Sequence, residues 1–226
     1  MRSLRPVFLL LAIGLTPALA RDYLDMSLDE LVGVEVVTAS RSAERIWDAP
    51  GIVSVLSGRE LSLFGARDLG EALTRLVHVT PFDSLNVGSF RLTIRGDRPG
   101  FDTNHVLLLL DGVPFNRTGY AGGLWTQAPL LTLPLSAIER IEVIRGPGSA
   151  LYGANAMHGV INVITPAATP EPEYLLALEG GPHDYMRMKY YAANTVEAHG
   201  IWAGFSADHD GGYRHDSGYD QQKMTL

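Results

Sequence analysis

Alternation of apolar and polar residues with a period of two runs through much of the chain, interrupted by short stretches of helical spacing. Phe90-Arg91-Leu92-Thr93-Ile94-Arg95 alternates and predicts a half-buried strand that stops at Gly96. Val106 to Leu110 is continuously apolar, as a strand covered on both faces would be, and Asp111-Gly112 predicts the turn after it. Ile141-Glu142-Val143-Ile144, ending at Arg145-Gly146, reads as a strand. So do Gly159 to Thr165, closed by Pro166, and Ile52 to Leu56, after Pro50-Gly51. Val34 to Ala39 is short, β-branched and extended. Helical spacing appears at Ser57 and Glu60, a capping-box pair opening a helix that ends near Gly65. It returns over Asp68 to Val77, where Leu69, Ala72, Leu73 and Leu76 share one face. Ser27 and Glu30 repeat the capping-box spacing, and Leu135 to Arg140 predicts a helical turn.

From about Glu173 the pattern becomes longer and more regular. Met186, Met188, Tyr190 and Ala192 alternate with Tyr185, Arg187, Lys189 and Tyr191. Ile201, Ala203, Phe205 and Ala207 alternate with Trp202, Gly204, Ser206 and Asp208, and Tyr174 to Gly180 is a weaker case. Segments of about ten residues, apolar on one face and polar on the other, suit a transmembrane β-barrel. They also suit a soluble β-meander, and periodicity alone does not separate the two.

The first twenty residues follow a different logic. Arg2 and Arg5 form a positive start, Val7 to Leu15 is an apolar run, and Ala18-Leu19-Ala20 is a cleavage sequence. Together they predict a secretory signal over 1–20, too short in its apolar run to span a bilayer. Removing two of 18 basic residues leaves 16 against 25 acidic ones, a net charge of −9. That acidity argues against nucleic acid as a partner. With no cysteine in 226 residues, disulfides, iron–sulfur clusters and thiol nucleophiles are excluded.

Two stretches carry a family resemblance. One is Ile94-Arg95-Gly96 followed by HVLLLLDGVPF at 105–115; the other is IERIEVIRGPGSALYGANAMHGVINVIT at 138–165. With AERIWDAPGIVSVLSGREL at 43–61 and the helix after it, they resemble the plug domain of TonB-dependent outer-membrane receptors, over about residues 34 to 166. The resemblance implies an α+β fold: a plug domain with a small mixed β-sheet and short helices, followed by the first antiparallel strands of an incomplete transmembrane β-barrel. It divides the chain into a signal peptide at 1–20, an N-terminal segment at 21–40, the plug at 41–166 and the start of the barrel at 172–226. It also turns the barrel into the expected reading of the last third.

The resemblance further implies a receptor and transporter, not an enzyme, in the cell outer membrane. It would bind a scarce nutrient such as an iron chelate (a siderophore) or cobalamin, and gate its energised uptake. Its partners would be TonB of the inner-membrane complex, outer-membrane lipid and the small-molecule nutrient, with no cofactor. Val34, Glu35, Val36, Val37 and Thr38 resemble a TonB box, the extended segment that pairs with a strand of TonB; a mere first strand fits the same residues. Arg95 and Arg145 match plug arginines that pair with barrel glutamates, the alternative being strand-end arginines in water. Apical loops would comprise Thr80 to Ser89, Asp97 to His105 and Pro114 to Pro129. They would present Phe82, Arg98, Phe101, Tyr120 and Trp125 either to substrate or to the barrel wall.

One departure is His158, where the family usually has glycine. No second His lies near it in sequence, so it is not read as a metal ligand. His199, His209 and His215 with Asp208, Asp210 and Asp216 match no ligand spacing either. The loop at Gly146-Pro147-Gly148-Ser149 lacks the lysine of a phosphate-binding loop. No metal or catalytic residue is therefore expected. The other departure is length. A 22-stranded barrel needs on the order of 220 residues in strands, and 226 − 172 leaves 54. The expectation is a receptor cut short, without transport of its own; the alternative is a free-standing exported plug-like binding module.

Overall fold

The computed structural model describes residues 34–225 apart from 39, 85–88, 98–104, 116, 119–123, 126–132, 154, 168–170, 197–198 and 214–216. The expected signal peptide, the Ser27–Glu30 turn, Arg98, Phe101 and Tyr120 lie outside the described residues.

In chain order the elements begin with β1 (Glu35–Val36), β2 (Glu44–Arg45), β3 (Ile52–Ser57), α1 (Gly58–Leu63), α2 (Leu69–Leu73), β4 (Val79–Ser84) and β5 (Ser89–Ile94). Next come β6 (Val106–Leu110), β7 (Val113–Pro114), β8 (Arg117–Thr118), β9 (Leu124–Trp125), a 3₁₀ turn at Leu135–Ala137, β10 (Arg140–Arg145), α3 (Ser149–Tyr152) and β11 (Gly159–Ile164). Four longer strands follow: β12 (Glu173–Gly180), β13 (Met186–Val196), β14 (His199–Asp210) and β15 (Tyr219–Thr225).

The central sheet is mixed, in the order β3-β10-β11-β6-β7. Only β11 and β6 run parallel. One face packs Leu56, Leu108, Ile141, Val143, Ile161 and Val163 against Leu61, Leu69, Leu73 and Ile94 from α1, α2 and β5. The other face carries Leu107, Leu109, Ile144 and Val160, covered by Ala156 and Tyr152. Burial on both faces explains why β6 and β11 are apolar runs without alternation.

The α1 capping box forms as the sequence predicts, with Ser57 and Glu60 bonding each other's backbone N–H groups. The second helix is shorter than expected. It covers Leu69–Leu73, capped by Asp68, because its bonds tighten to three-residue spacing at Thr74, Arg75 and Leu76. His78, at φ 64°, then turns the chain into β4. The expected loop Thr80 to Ser89 is corrected as well. Residues 79–84 form β4, paired antiparallel with β5 from Val79↔Ile94 to Ser84↔Ser89, since the alternating β5 needs a strand partner.

Two turns share one device. Arg95-Gly96 and Asp111-Gly112 both have positive φ at their two central residues (57° and 74°, 49° and 79°). This is the type I′ geometry that matches strand twist. His183-Asp184, at 60° and 56°, does the same between β12 and β13 without glycine.

The last four strands form an antiparallel sheet in simple order β12-β13-β14-β15. Its register aligns Leu176 with Tyr190 and Phe205, Leu178 with Met188 and Ala207, and Phe205 with Met224. These outward residues include the exposed Leu176, Leu178, Met188, Tyr190 and Met224. The opposite face, which meets the plug, holds Arg187, Tyr191, Ala193, Ser206, Asp208 and Lys223, all buried. The alternation thus separates an apolar outer face from a polar inner one, as the wall of a membrane barrel requires.

Candidate functional site

The segment 34–38 lies in a built cradle on the central sheet. Val34 and Val36 are buried. β1 pairs with β2 through Glu35↔Arg45 and Val36↔Glu44, and the Ile46 N–H donates to the Val34 carbonyl. The next two residues are held by side chains. Glu142, at the middle of β10, is fully buried. Its Oε2 accepts from the Val37 N–H (3.0 Å), the Thr38 N–H (2.9 Å) and the Thr38 hydroxyl (2.6 Å). Its Oε1 accepts from Arg140 Nε at 3.0 Å. Asn162 on β11, directly opposite Glu142, donates to Thr38 Oγ1 at 3.0 Å. The Tyr152 hydroxyl donates to the Thr38 carbonyl at 2.7 Å, and the Arg41 guanidinium sits 4.7 Å above its ring. Burial raises the pKa of Tyr152, so the hydroxyl stays a donor to more alkaline pH than an ordinary tyrosine.

A buried carboxylate is tolerated only with its charge compensated and its lone pairs used. Arg140 supplies the charge, and the 37–38 backbone supplies the donors. The segment is therefore docked by replaceable hydrogen bonds over a two-residue strand rather than woven into the five-stranded sheet. Such a segment can leave and pair elsewhere if its donors find other acceptors.

A second contact joins plug to barrel sheet. Arg187 on β13 pairs with Asp208 on β14, both buried. The Arg187 guanidinium also donates to the Ala66 carbonyl (3.0 Å) and the Arg67 carbonyl (2.7 Å), and Lys223 Nζ donates to the Arg67 carbonyl at 3.0 Å. Arg67 in turn reaches Asp210 at 3.2 Å. Nearby, a Cβ on Gly204 would stand 2.9 Å from Ala137, so glycine lets the 3₁₀ turn seat against the sheet beside Tyr191 and Ala193.

The expected ion-pair arginines behave differently. Arg145 donates to the Val77 carbonyl (3.1 Å) and to Ser54 Oγ, both within the plug. Burial, with Arg95 close by, lowers its pKa. Among the described residues no carboxylate pairs with Arg95 or Arg145. Phe82 and Trp125 lie on β4 and β9, and their side chains are outside the described residues.

Sequence distance hid one further cluster. Asp97 follows the Arg95-Gly96 turn, and His105 and His158 precede the parallel pair β6 and β11. Asp97 Oδ2 lies 2.7 Å from His105 Nδ1 and 3.4 Å from His158 Nδ1. No second His lies near His158 in sequence, but the parallel pairing of β6 and β11 sets His105 beside it in space. The buried Glu142 and Asn162 were also missed. Their signal was a polar residue inside an otherwise apolar strand run.

Comparison with known proteins bears on the whole arrangement. Residues 45–160 match the family model of the TonB-dependent receptor plug domain. The chain is 37% identical over 147 residues to the vitamin B12 transporter BtuB of Vibrio vulnificus, covering 65% of this chain and 23% of that protein. Its fold matches the ferric yersiniabactin uptake receptor FyuA of Yersinia pestis at TM-score 0.56 and 22% identity, covering 70% of this chain and 24% of that one. It matches the pyoverdine-bound FpvA of Pseudomonas aeruginosa at TM-score 0.60 and 18% identity, covering 78% and 22%. The chain thus spans about a quarter of the length of the relatives it matches.

Proposed function

The chain belongs to the TonB-dependent receptors, and on that premise we propose that it is the plug and first barrel strands of an outer-membrane receptor for a metal chelate, cobalamin foremost. In this reading the Val34–Thr38 segment is the strand that TonB takes up. The observation that carries it is the docking of residues 37 and 38 on Glu142, Asn162 and Tyr152. Pairing with a TonB strand requires those backbone groups, so the segment is either docked or engaged. The exchange links the periplasmic partner directly to the strand at the centre of the plug sheet.

The outer membrane is supported by the apolar face of β12–β15, and export by the sequence of residues 1–20, with the mature chain beginning near Arg21. Cobalamin is favoured by the 37% identical relative, which is a vitamin B12 transporter.

A synthetic peptide of residues 31–41, titrated into the periplasmic domain of TonB, tests the partner. Saturable binding that a Val36→Pro peptide loses supports the reading, because proline removes an N–H that strand pairing needs. Equal binding by both peptides, or none, would sink it. Uptake of labelled cobalamin by cells whose sole receptor joins this plug to a complete barrel tests the nutrient. Uptake of a ferric siderophore and not cobalamin would move the assignment within the same class.

A further inference from the structure

We propose that Asp97, His105 and His158 form a binding site for a divalent transition-metal ion, with Zn²⁺ the best chemical match. The three side chains each offer a ligand atom, and those atoms all lie within 4.8 Å of one another. Two imidazoles and one carboxylate are the donor set zinc takes when one coordination position stays open to water or another ligand.

The distances fit. Zinc bonds of about 2.1 Å at tetrahedral angles set neighbouring ligand atoms about 3.4 Å apart. Asp97 Oδ2 already stands 3.4 Å from His158 Nδ1. Its 2.7 Å bond to His105 Nδ1 has to open by about 0.7 Å, within the range of a side-chain rotation.

A second observation points to a missing ligand. His158 Nδ1 is buried and, among the described residues, makes no hydrogen bond, with Asp97 Oδ2 standing off at 3.4 Å. A buried polar atom left alone is uncommon in a folded protein, and a bound cation is one of the things that satisfies it. The histidine side chains as wholes are still partly open, at 31% and 39%, so an ion has a way in.

The site is also held in place. The His158 N–H donates to the His105 carbonyl at 2.9 Å, and the Gly146 N–H donates to the His158 carbonyl at 3.0 Å. The two rings stand 5.2 Å apart, each on the residue that leads into one strand of the parallel pair β6 and β11. Rigid strand ends fix ligand positions better than loops do. Arg145, the cation at this end of β10, is turned onto Val77 and Ser54. The site lies outside the Glu142 cradle, and its occupation does not depend on what the receptor transports.

The test is metal titration of the untagged chain, with Co²⁺ as a spectroscopic probe and Zn²⁺ in competition with a chromophoric chelator. The expected result is one equivalent of Co²⁺ with the visible bands of a four- or five-coordinate nitrogen–oxygen site, displaced by Zn²⁺. Losing a ligand in His105→Ala or His158→Ala should weaken binding at least about 100-fold. His199→Ala and His209→Ala, on the barrel sheet, should leave it unchanged. Circular dichroism checks that the variants fold; if either alanine variant does not, His158→Gln keeps the volume and removes the imidazole. Absence of the Co²⁺ bands in the wild-type chain would overturn the proposal, and so would binding that survives loss of both His105 and His158.

Discussion

The docking of the N-terminal segment can be perturbed at one atom. In Glu142→Gln the side chain keeps its shape but has a single acceptor oxygen. If that oxygen faces Val37 and Thr38, the amide NH₂ points at Arg140 Nε, which stands 3.0 Å from the wild-type Oε1. If it turns to Arg140, the NH₂ meets the three donors at 2.6 to 3.0 Å. Either way the three bonds to the segment lose the carboxylate charge. Charge-assisted bonds are worth about 1.5–3 kcal/mol and neutral ones about 0.5–1.5, so the substitution costs docking on the order of 2–3 kcal/mol. At 1.4 kcal/mol per decade, the docked-to-free ratio falls roughly 30- to 150-fold. The chain has no cysteine, so a spin label on Glu35→Cys, an exposed position of β1, reports on this segment alone. The wild-type label should be largely immobile, and Glu142→Gln should add a strong mobile component while the urea midpoint of the plug moves little. A docked-to-free ratio that changes less than about threefold would refute the idea that Glu142 holds the segment.

Other predictions follow from the same contacts. Burial raises the folded pKa of Tyr152, so its bond to Thr38 is intact below the ordinary tyrosine range and is lost as pH rises through that raised value. The spin label should therefore mobilise in an alkaline step that Tyr152→Phe abolishes. Arg187→Met leaves buried Asp208, among the described residues, with Lys223 at 3.8 Å; it frees the Ala66 carbonyl and leaves the Arg67 carbonyl to Lys223. Removing one partner of a buried pair costs about 3–5 kcal/mol, and trypsin should cut after Arg67 at least about tenfold faster. Gly159→Ala would press a Cβ to 2.7 Å from the Ile144 carbonyl and into the Ile94 side chain. It should lower stability to urea by about 1–3 kcal/mol, as overpacking does.

Much of the architecture was legible because it rests on local patterns. The capping box at Ser57 and Glu60, the apolar run of β6, the Asp111-Gly112 turn and the alternation of β13 and β14 all appear where spacing places them. The end of the helix at Leu69–Leu73 is not legible, since periodicity does not register where bonds tighten into a final turn. β4 is not legible from its own residues, since its reason to be a strand lies in β5.

The sequence by itself determined most of the elements, the family and the two faces of the barrel strands, because a strand's faces follow from its own residues. Only tertiary structure decided what the polar residues inside apolar runs are for. Glu142 and Thr38 are 104 positions apart, Arg187 and Ala66 are 121, and His105 and His158 meet through a parallel pairing that no local pattern encodes. A buried charge is defined by the partners that satisfy it. In this chain those partners arrive from distant segments, so the cradle, the plug–barrel contact and the histidine cluster exist only once the sheet has brought them together.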